Sequence, residues 1–222
     1  MKKSVPLMAG MLFCSVLSFS QAESMTAAEI RYRDSITKLN QSNAAIAASQ
    51  EAYNKGIELF NQKNFKEAIA SFSKSIASDP NFTAAYYNKG VAENEAELFQ
   101  DALTTFNTLI SKQKGYSKAY FQRGRAYQGL SDYLKSEKDY EESIKLDANN
   151  PKAYYNYGTL KFLQQDYNAA IKYFTKSIEL DPSGPMAYND RGSCYRMLEN
   201  YPKAIEDYEA ALRKNPNLAF VL

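Results

Sequence analysis

The chain has 222 residues, with 27 basic and 25 acidic side chains, two cysteines and no histidine. Without histidine, imidazole general bases, serine–histidine triads and histidine-ligated zinc are excluded. Nearly balanced charge, spread along the chain instead of gathered in runs, gives no bulk electrostatic reason to bind nucleic acid or an anionic membrane.

Residues 1–22 read as a bacterial-type secretory signal. Met1-Lys2-Lys3 is a short basic start, Val5 to Ser18 is an apolar run broken by Pro6 and Gly10, and Ser20-Gln21-Ala22 places small residues where a signal peptidase reads them. The run is too short to span a bilayer comfortably, where about 20 residues are needed. Cleavage after Ala22 removes Lys2 and Lys3 and no acid, leaving 25 basic against 25 acidic residues. The expectation is therefore an exported protein of the periplasm or cell surface, with no membrane insertion after cleavage. Cys14 follows the bulky Phe13, and apolar residues continue to Leu17, which argues against lipidation. Cys194 is then the one cysteine left, so no intrachain disulfide can form; its place on a helix beside Gly192 suits packing.

Residues 23–48 form a leader. Thr26-Ala27-Ala28-Glu29 has the form of a capping box, threonine followed three residues on by glutamate. Tyr32, Ile36 and Leu39 follow at i, i+4 and i+7, which predicts one amphipathic helix lying over the edge of what comes next. Asn40–Asn43 reads as a polar break before the first repeat.

From Ser49 to Leu218 the chain repeats every 34 residues. Gly56, Gly90, Gly124, Gly158 and Gly192 mark the period. Sixteen residues after each comes an aromatic: Phe72, Phe106, Tyr140, Phe174 and Tyr208. Four before that aromatic is a small residue: Ala68, Ala102, Ser136, Ala170 and Ala204. Each unit reads as two helices. In the fourth, Tyr167, Ala170, Ile171, Phe174 and Ile178 fall on one helical face. Gln165–Asp166 is the turn, with Asp166 as N-cap, a place taken elsewhere by Asn64, Asp132 and Asn200. Asn150 and Pro151 open another helix as N-cap and first helical residue. Glycine in a helix interior costs about 1 kcal/mol against alanine. The column makes sense where the two helices approach closely, with the small column opposite and the aromatics as plugs.

These columns resemble the tetratricopeptide repeat (TPR). Gly158, Ala170, Phe174 and Pro182 match the family motif in one unit, and Gly192, Ala204, Tyr208 and Pro216 in the next. Five units fit, 49–82, 83–116, 117–150, 151–184 and 185–218. Departures are Ala52 for the first aromatic, Ser136 for one alanine, and Lys114 and Ala148 for two prolines, which puts the sharpness of two inter-repeat turns in question. The resemblance implies an all-α fold, a right-handed α-solenoid of tandem helix-turn-helix repeats.

In this family the first helix of each unit lines the concave face. The fifth positions here hold Tyr53, Tyr87, Phe121, Tyr155 and Asn189, and the sixth hold Asn54, Asn88, Gln122, Asn156 and Asp190. Arg125 occupies a ninth position. The resemblance thus implies an aromatic ladder beside an amide ladder, suited to an extended peptide, because an amide both donates and accepts. The carboxylate clamp of chaperone-binding TPR domains is not matched. From each possible start the opening lysine/asparagine pair and the final arginine are missing, as in Tyr53, Ile57, Asn88, Lys118 and Gln122.

No Gly-rich phosphate loop is present, and Asp147-Ala148-Asn149-Asn150 lacks the glycine and terminal glutamate of a calcium loop. No cofactor or metal is expected, and no enzymatic activity. The functional expectation is a non-catalytic adaptor binding a protein or peptide in its groove. The alternative is a scaffold, or a fragment of a larger envelope protein, assembling through its ends or convex face. Residues 219–222 begin what would be a further unit. Ile205, Tyr208 and Leu212 would then have nothing packed beyond them, so that the sequence is a fragment or this end docks on a partner or another copy.

Overall fold

The computed structural model describes residues 26–217. The expected signal peptide and residues 219–222 lie outside the described residues. Among these there are ten α-helices and no strands. The chain divides into two units after Ala47.

The first unit is the N-terminal part of α1 (Ala27–Asn61). The capping box forms as expected. Thr26 N donates to Glu29 Oε2 at 2.8 Å, and Glu29 N donates to Thr26 Oγ1 at 3.3 Å. The polar break at Asn40–Asn43 does not occur, because α1 runs through it without interruption. These residues are only mildly unfavourable in a helix, no Gly or Pro is among them, and four alanines, Ala44, Ala45, Ala47 and Ala48, follow at once.

The second unit holds five helical hairpins. Each has an A helix and a B helix: Ser49 to Asn61 of α1 with α2 (Phe65–Ser78), α3 (Thr83–Glu95) with α4 (Phe99–Lys112), α5 (Ser117–Gly129) with α6 (Tyr133–Leu146), α7 (Pro151–Leu163) with α8 (Tyr167–Leu180), and α9 (Pro185–Met197) with α10 (Tyr201–Lys214). From α2 onward each helix packs on its neighbours in sequence, and α3, α5, α7 and α9 also touch one another in succession. That is the connectivity of a solenoid.

The glycine column packs against the aromatic plugs. A Cβ on Gly56 would sit 2.5 Å from the Phe72 ring, on Gly90 2.5 Å from Phe106, on Gly124 2.9 Å from Tyr140, on Gly158 2.7 Å from Phe174, and on Gly192 3.0 Å from Tyr208. So the ring, not the small column, fills the space that the missing side chain leaves. The small residues are buried beside it. Ser136 adds a hydrogen bond from Oγ to the Gly124 carbonyl at 2.9 Å, which accounts for serine at one alanine position.

Both turns repeat. Between A and B helices, Lys63, Glu97, Ser131, Gln165 and Glu199 take φ values between 58° and 61°. The next residue bonds back five places, as Asn64 N does to Leu59 O and Asp166 N to Lys161 O, which is a Schellman end built without glycine. Asp132, Asp166 and Asn200 then cap the B helices through their side chains, whereas Asn64 makes no such bond. Between B and A helices the two missing prolines change little. The C-cap residues Asp79, Gln113, Asp147, Asp181 and Asn215 share one extended conformation. Asp147 accepts from Asn149 N at 3.1 Å just as Asp79 accepts from Asn81 N at 2.9 Å. The side-chain turn forms at Asp147 without the ring as it does at Asp79, Asp181 and Asn215 with it.

Candidate functional site

The A helices place the predicted groove residues in register, because one unit of sequence is one unit of structure. The fifth-position aromatics are less available than expected. Tyr53 lies 4.9 Å from Phe82 and 5.8 Å from Phe72 by ring centroids. Tyr87 is 5.5 Å from Tyr116 and 6.5 Å from Phe106, and Tyr155 is 5.7 Å from Phe174. Phe121 is buried. Each ring wedges between its own plug and, in the first two units, the aromatic that precedes the next A helix. The ladder is therefore half core: Tyr53, Tyr87 and Tyr155 are half-buried and Phe121 is buried.

The sixth-position ladder is partly spent on itself. Asn88 Nδ2 donates to Tyr53 Oη at 2.9 Å, and Tyr155 Oη donates to Asp190 Oδ2 at 2.7 Å. Both pairs are 35 residues apart, fifth position to next sixth, and so latch one A helix to the next. Burial, with the Asp190 carboxylate beside it, pushes the Tyr155 phenol well above its ordinary range and keeps it a donor. Gln122 is buried and accepts from Asn94 Nδ2 and Arg125 Nη1. Arg125 also pairs with Glu95 at 3.1 Å. Asn189 is buried too, donating to Asp190 at 3.1 Å. That leaves Asn54 and Asn156 with bonds only inside their own helix, to Gln50 and to the Lys152 carbonyl.

Two open clefts lie between successive units. One of about 440 Å³ is lined by Tyr87, Phe121, Gln122, Asn150, Lys118 and Lys152, among others. A second of about 280 Å³ is lined by Tyr155, Met186, Ala187 and Pro151 with Lys152. Lys118, Lys152 and Met186, all at second positions, were missed as site residues, as were Asn94 and Glu95. The family register offered the second position; nothing in the sequence showed that the clefts open there. Asn94 Oδ1 and Asn189 Oδ1 are buried without a hydrogen-bond partner among the described residues.

The polar contacts across the hairpins had not been predicted. Arg123 holds Asp139 at 2.7 Å through both Nε and Nη2, and Arg191 holds Asp207 at 2.8 and 2.7 Å. A third nitrogen of each reaches back one unit, to Asn107 at 2.7 Å and to Thr175 at 3.0 Å. The 16-residue spacing was visible in sequence, but the partners were scattered among pairs with no opposite charge, such as Lys89 with Thr105. In the fourth unit Tyr157 stacks on Tyr173 at 4.1 Å instead. Cys194 is buried, and burial pushes its thiol up to about 12, in line with a packing role. Among the described residues no cluster of three or more His, Cys, Asp or Glu fits a metal ion, and no helix is long and apolar enough to cross a membrane.

Comparison with known proteins agrees with the repeat pattern. Three tetratricopeptide-repeat family models match residues 53–117, 117–150, and 151–183 with 185–218. No curated protein matches the chain in sequence. Among solved structures, MamA (residue 41 to the end) from Desulfovibrio magneticus RS-1 has a TM-score of 0.67 at 16% identity, covering 78% of this chain and 97% of its own. YrrB, described as a TPR protein with an unusual peptide-binding site, has a TM-score of 0.58 at 21% identity, covering 74% and 85%. The first TPR of Spaghetti (RPAP3), bound to an HSP90 peptide, has a TM-score of 0.52 at 26% identity, covering 54% and 95%. With family models spanning most of its length and an unbroken array of packed hairpins, the chain belongs to the tetratricopeptide repeat family, whose fold is a protein–protein interaction module.

Proposed function

We propose that this chain is an exported, non-catalytic adaptor whose A-helix groove holds an extended segment of a partner protein. The observation that carries the reading is the pair of inter-unit clefts, floored by the fifth-position rings and rimmed by Lys118 and Lys152. A ring edge gives contact area at little entropy cost. The amides of Asn54 and Asn156 line neither cleft but share the sixth position of the A helices and bond only within their own helices, which leaves them groups that can pair with a peptide main chain. YrrB and the Spaghetti domain, both tied to peptides by their descriptions, lend support at the level of the fold.

Photo-crosslinkers at Asn156, in the groove, and at the exposed Lys138 of α6 test the reading. Adducts in an envelope fraction should form from position 156 and not from 138. For the captured segment, Asn54→Ala with Asn156→Ala should lower affinity by roughly tenfold, two hydrogen bonds' worth. The melting curve should not move, because neither amide ties one unit to another. Adducts mainly from 138, or an unchanged affinity, would refute the groove. Export is tested separately, by the activity of alkaline phosphatase fused after the first thirty residues and by an N-terminus found at Glu23.

A second reading has one observation in its favour. Ile205 on α10 is 57% exposed, whereas Leu103, at the equivalent place on α4, is 6% exposed under the next hairpin. A scaffold assembling through that face would be disrupted by Ile205→Asp and indifferent to the groove variants.

A further inference from the structure

α1 has 35 residues, where each other helix has 13 or 14. The stretch from Ala27 to Ala47 is helical yet almost wholly exposed. Tyr32, Ile36, Leu39 and Ile46 are 71, 40, 55 and 54% exposed. These positions, with Asn43 between the last two, advance by four, three, four and three residues. The mean step is that of the heptad seam, which winds two helices into a left-handed pair. Tyr32, Leu39 and Ile46 take the d positions, and Ile36 and Asn43 take the a positions.

We propose that this stretch pairs with the same stretch of a second copy of the chain, as a parallel two-stranded coiled coil. Asn43 points to the occupant. A lone asparagine at an a position costs stability against an apolar residue unless it meets another amide, and in a parallel pair in register it meets itself. The flanking positions permit the same pairing. With g of one helix facing e of the other, Ala28 meets Arg33, Ser35 meets Asn40, and Ser42 meets Ala47, so no like charges oppose at e and g; Glu29, at the a position one heptad before Ile36, has its carboxylate engaged by Thr26 in the capping box, and the seam runs from Tyr32 onward. The charged residues Arg31, Asp34 and Lys38 fall at c and f, away from the seam, and their mixed sign does not favour an anionic lipid surface. Because α1 continues unbroken to Asn61, the stretch extends a helix that is already nucleated, which lowers the cost of ordering it. This pairing is independent of the groove and of the α10 face.

Sedimentation equilibrium of the purified protein over a wide concentration range tests it. A monomer–dimer equilibrium is expected. Leu39→Asp should weaken it by roughly a hundredfold, by placing two charges in the seam. Ile205→Asp should leave it unchanged. In protein starting at Glu23, which lacks Cys14, Asn43→Cys should give a single covalent dimer on oxidation, since facing a positions bring the two backbones within disulfide reach; the same protein without the substitution, with Cys194 buried, should give none. A monomer at every concentration, a trimer, a dimer indifferent to Leu39→Asp, or no Asn43→Cys cross-link would overturn the proposal. So would a lowered melting midpoint for Leu39→Asp, measured where the wild type is monomeric, since Leu39 would then be packed within its own chain.

Discussion

Gly158→Ala sets two effects of opposite sign against each other. Alanine in place of glycine inside a helix gains about 1 kcal/mol of propensity. The new Cβ would lie 2.7 Å from Phe174 Cδ1, 2.8 Å from Cε1 and 3.1 Å from Cγ. Contacts under 3.0 Å essentially do not occur for a real Cβ, and Phe174 is fully buried. Overpacking of this kind costs about 1–3 kcal/mol, so the net expectation is a loss of roughly 0–2 kcal/mol where an open site would gain. Phe174→Leu alone leaves a void and destabilises by about 1–2 kcal/mol. In the double variant the smaller side chain makes room for the methyl, so the pair should cost less than the two single changes summed. The coupling should be on the order of 1 kcal/mol in the relieving direction. Urea titrations followed by circular dichroism at constant m would measure it. Gly115→Ala, where nothing lies within 4 Å, is the control. A Gly158→Ala variant more stable than wild type, or a cycle with no coupling, would refute the claim that the glycine column exists to admit the plug.

Gln165 holds φ at 61° with a side chain, a conformation that costs an L-residue about 1 kcal/mol; Gln165→Gly should stabilise by about 0.5–1 kcal/mol, read as a raised urea midpoint. Glu93 is buried with Lys89 at 3.2 Å and its Oε2 unpaired, and burial raises its carboxyl above 4.5. The folded state then binds the proton more tightly than the unfolded one, so stability is lost as pH rises from about 4.5 through the folded value. Glu93→Met should therefore gain on the order of 1 kcal/mol at pH 7, a gain that shrinks in melts below pH 4.5. Asp139→Ala leaves the Arg123 guanidinium half-buried without its carboxylate and should cost about 2–4 kcal/mol. Replacing Arg123 with Met in that background should recover part of the loss in the same titration.

Much of the fold could be read from the sequence because TPR packing is local. Gly158 meets Phe174 within one hairpin, and Ser49, Ser117 and Ser177 tie the ends of their hairpins to Ser75, Ser143 and Pro151. Contacts of that kind recur at fixed spacing and need only the period to be seen. The expected break at Asn40–Asn43 failed for the opposite reason. A run of polar residues marks a break only where a Gly or Pro forbids the helix, and here nothing does. The missing prolines at Lys114 and Ala148 were tolerated because an aspartate two residues before Asn149 supplies the turn, while Gln113 keeps the same C-cap conformation without one. Asn64 and Asp132 occupy the same place in the repeat, yet only Asp132 makes the capping bond, while Asn64 Nδ2 donates to Gln62 Oε1 at 3.4 Å, a difference that spacing cannot show.

The groove was the harder part, and the reason lies between units. Whether Tyr87 faces a ligand or the core depends on how far Tyr116 of the next connection leans over it, which follows from the angle between hairpins and not from the register. The same ladder is asked for two things. A ring that seals the joint between A helices cannot also be surrendered to a peptide, and an Asn88 that latches Tyr53 has one donor fewer to offer. On the proposed groove reading, recognition falls to what sealing leaves over. Those are the ring edges along the two clefts, Asn54 and Asn156 with bonds only to their own helices, and the second-position residues Lys118, Lys152 and Met186. These last vary from unit to unit, from Gln50 and Ala84 through two lysines to a methionine. If the groove binds a segment as proposed, a surface whose fifth-position rings and most sixth-position side chains hold the array together draws its selectivity from the second position.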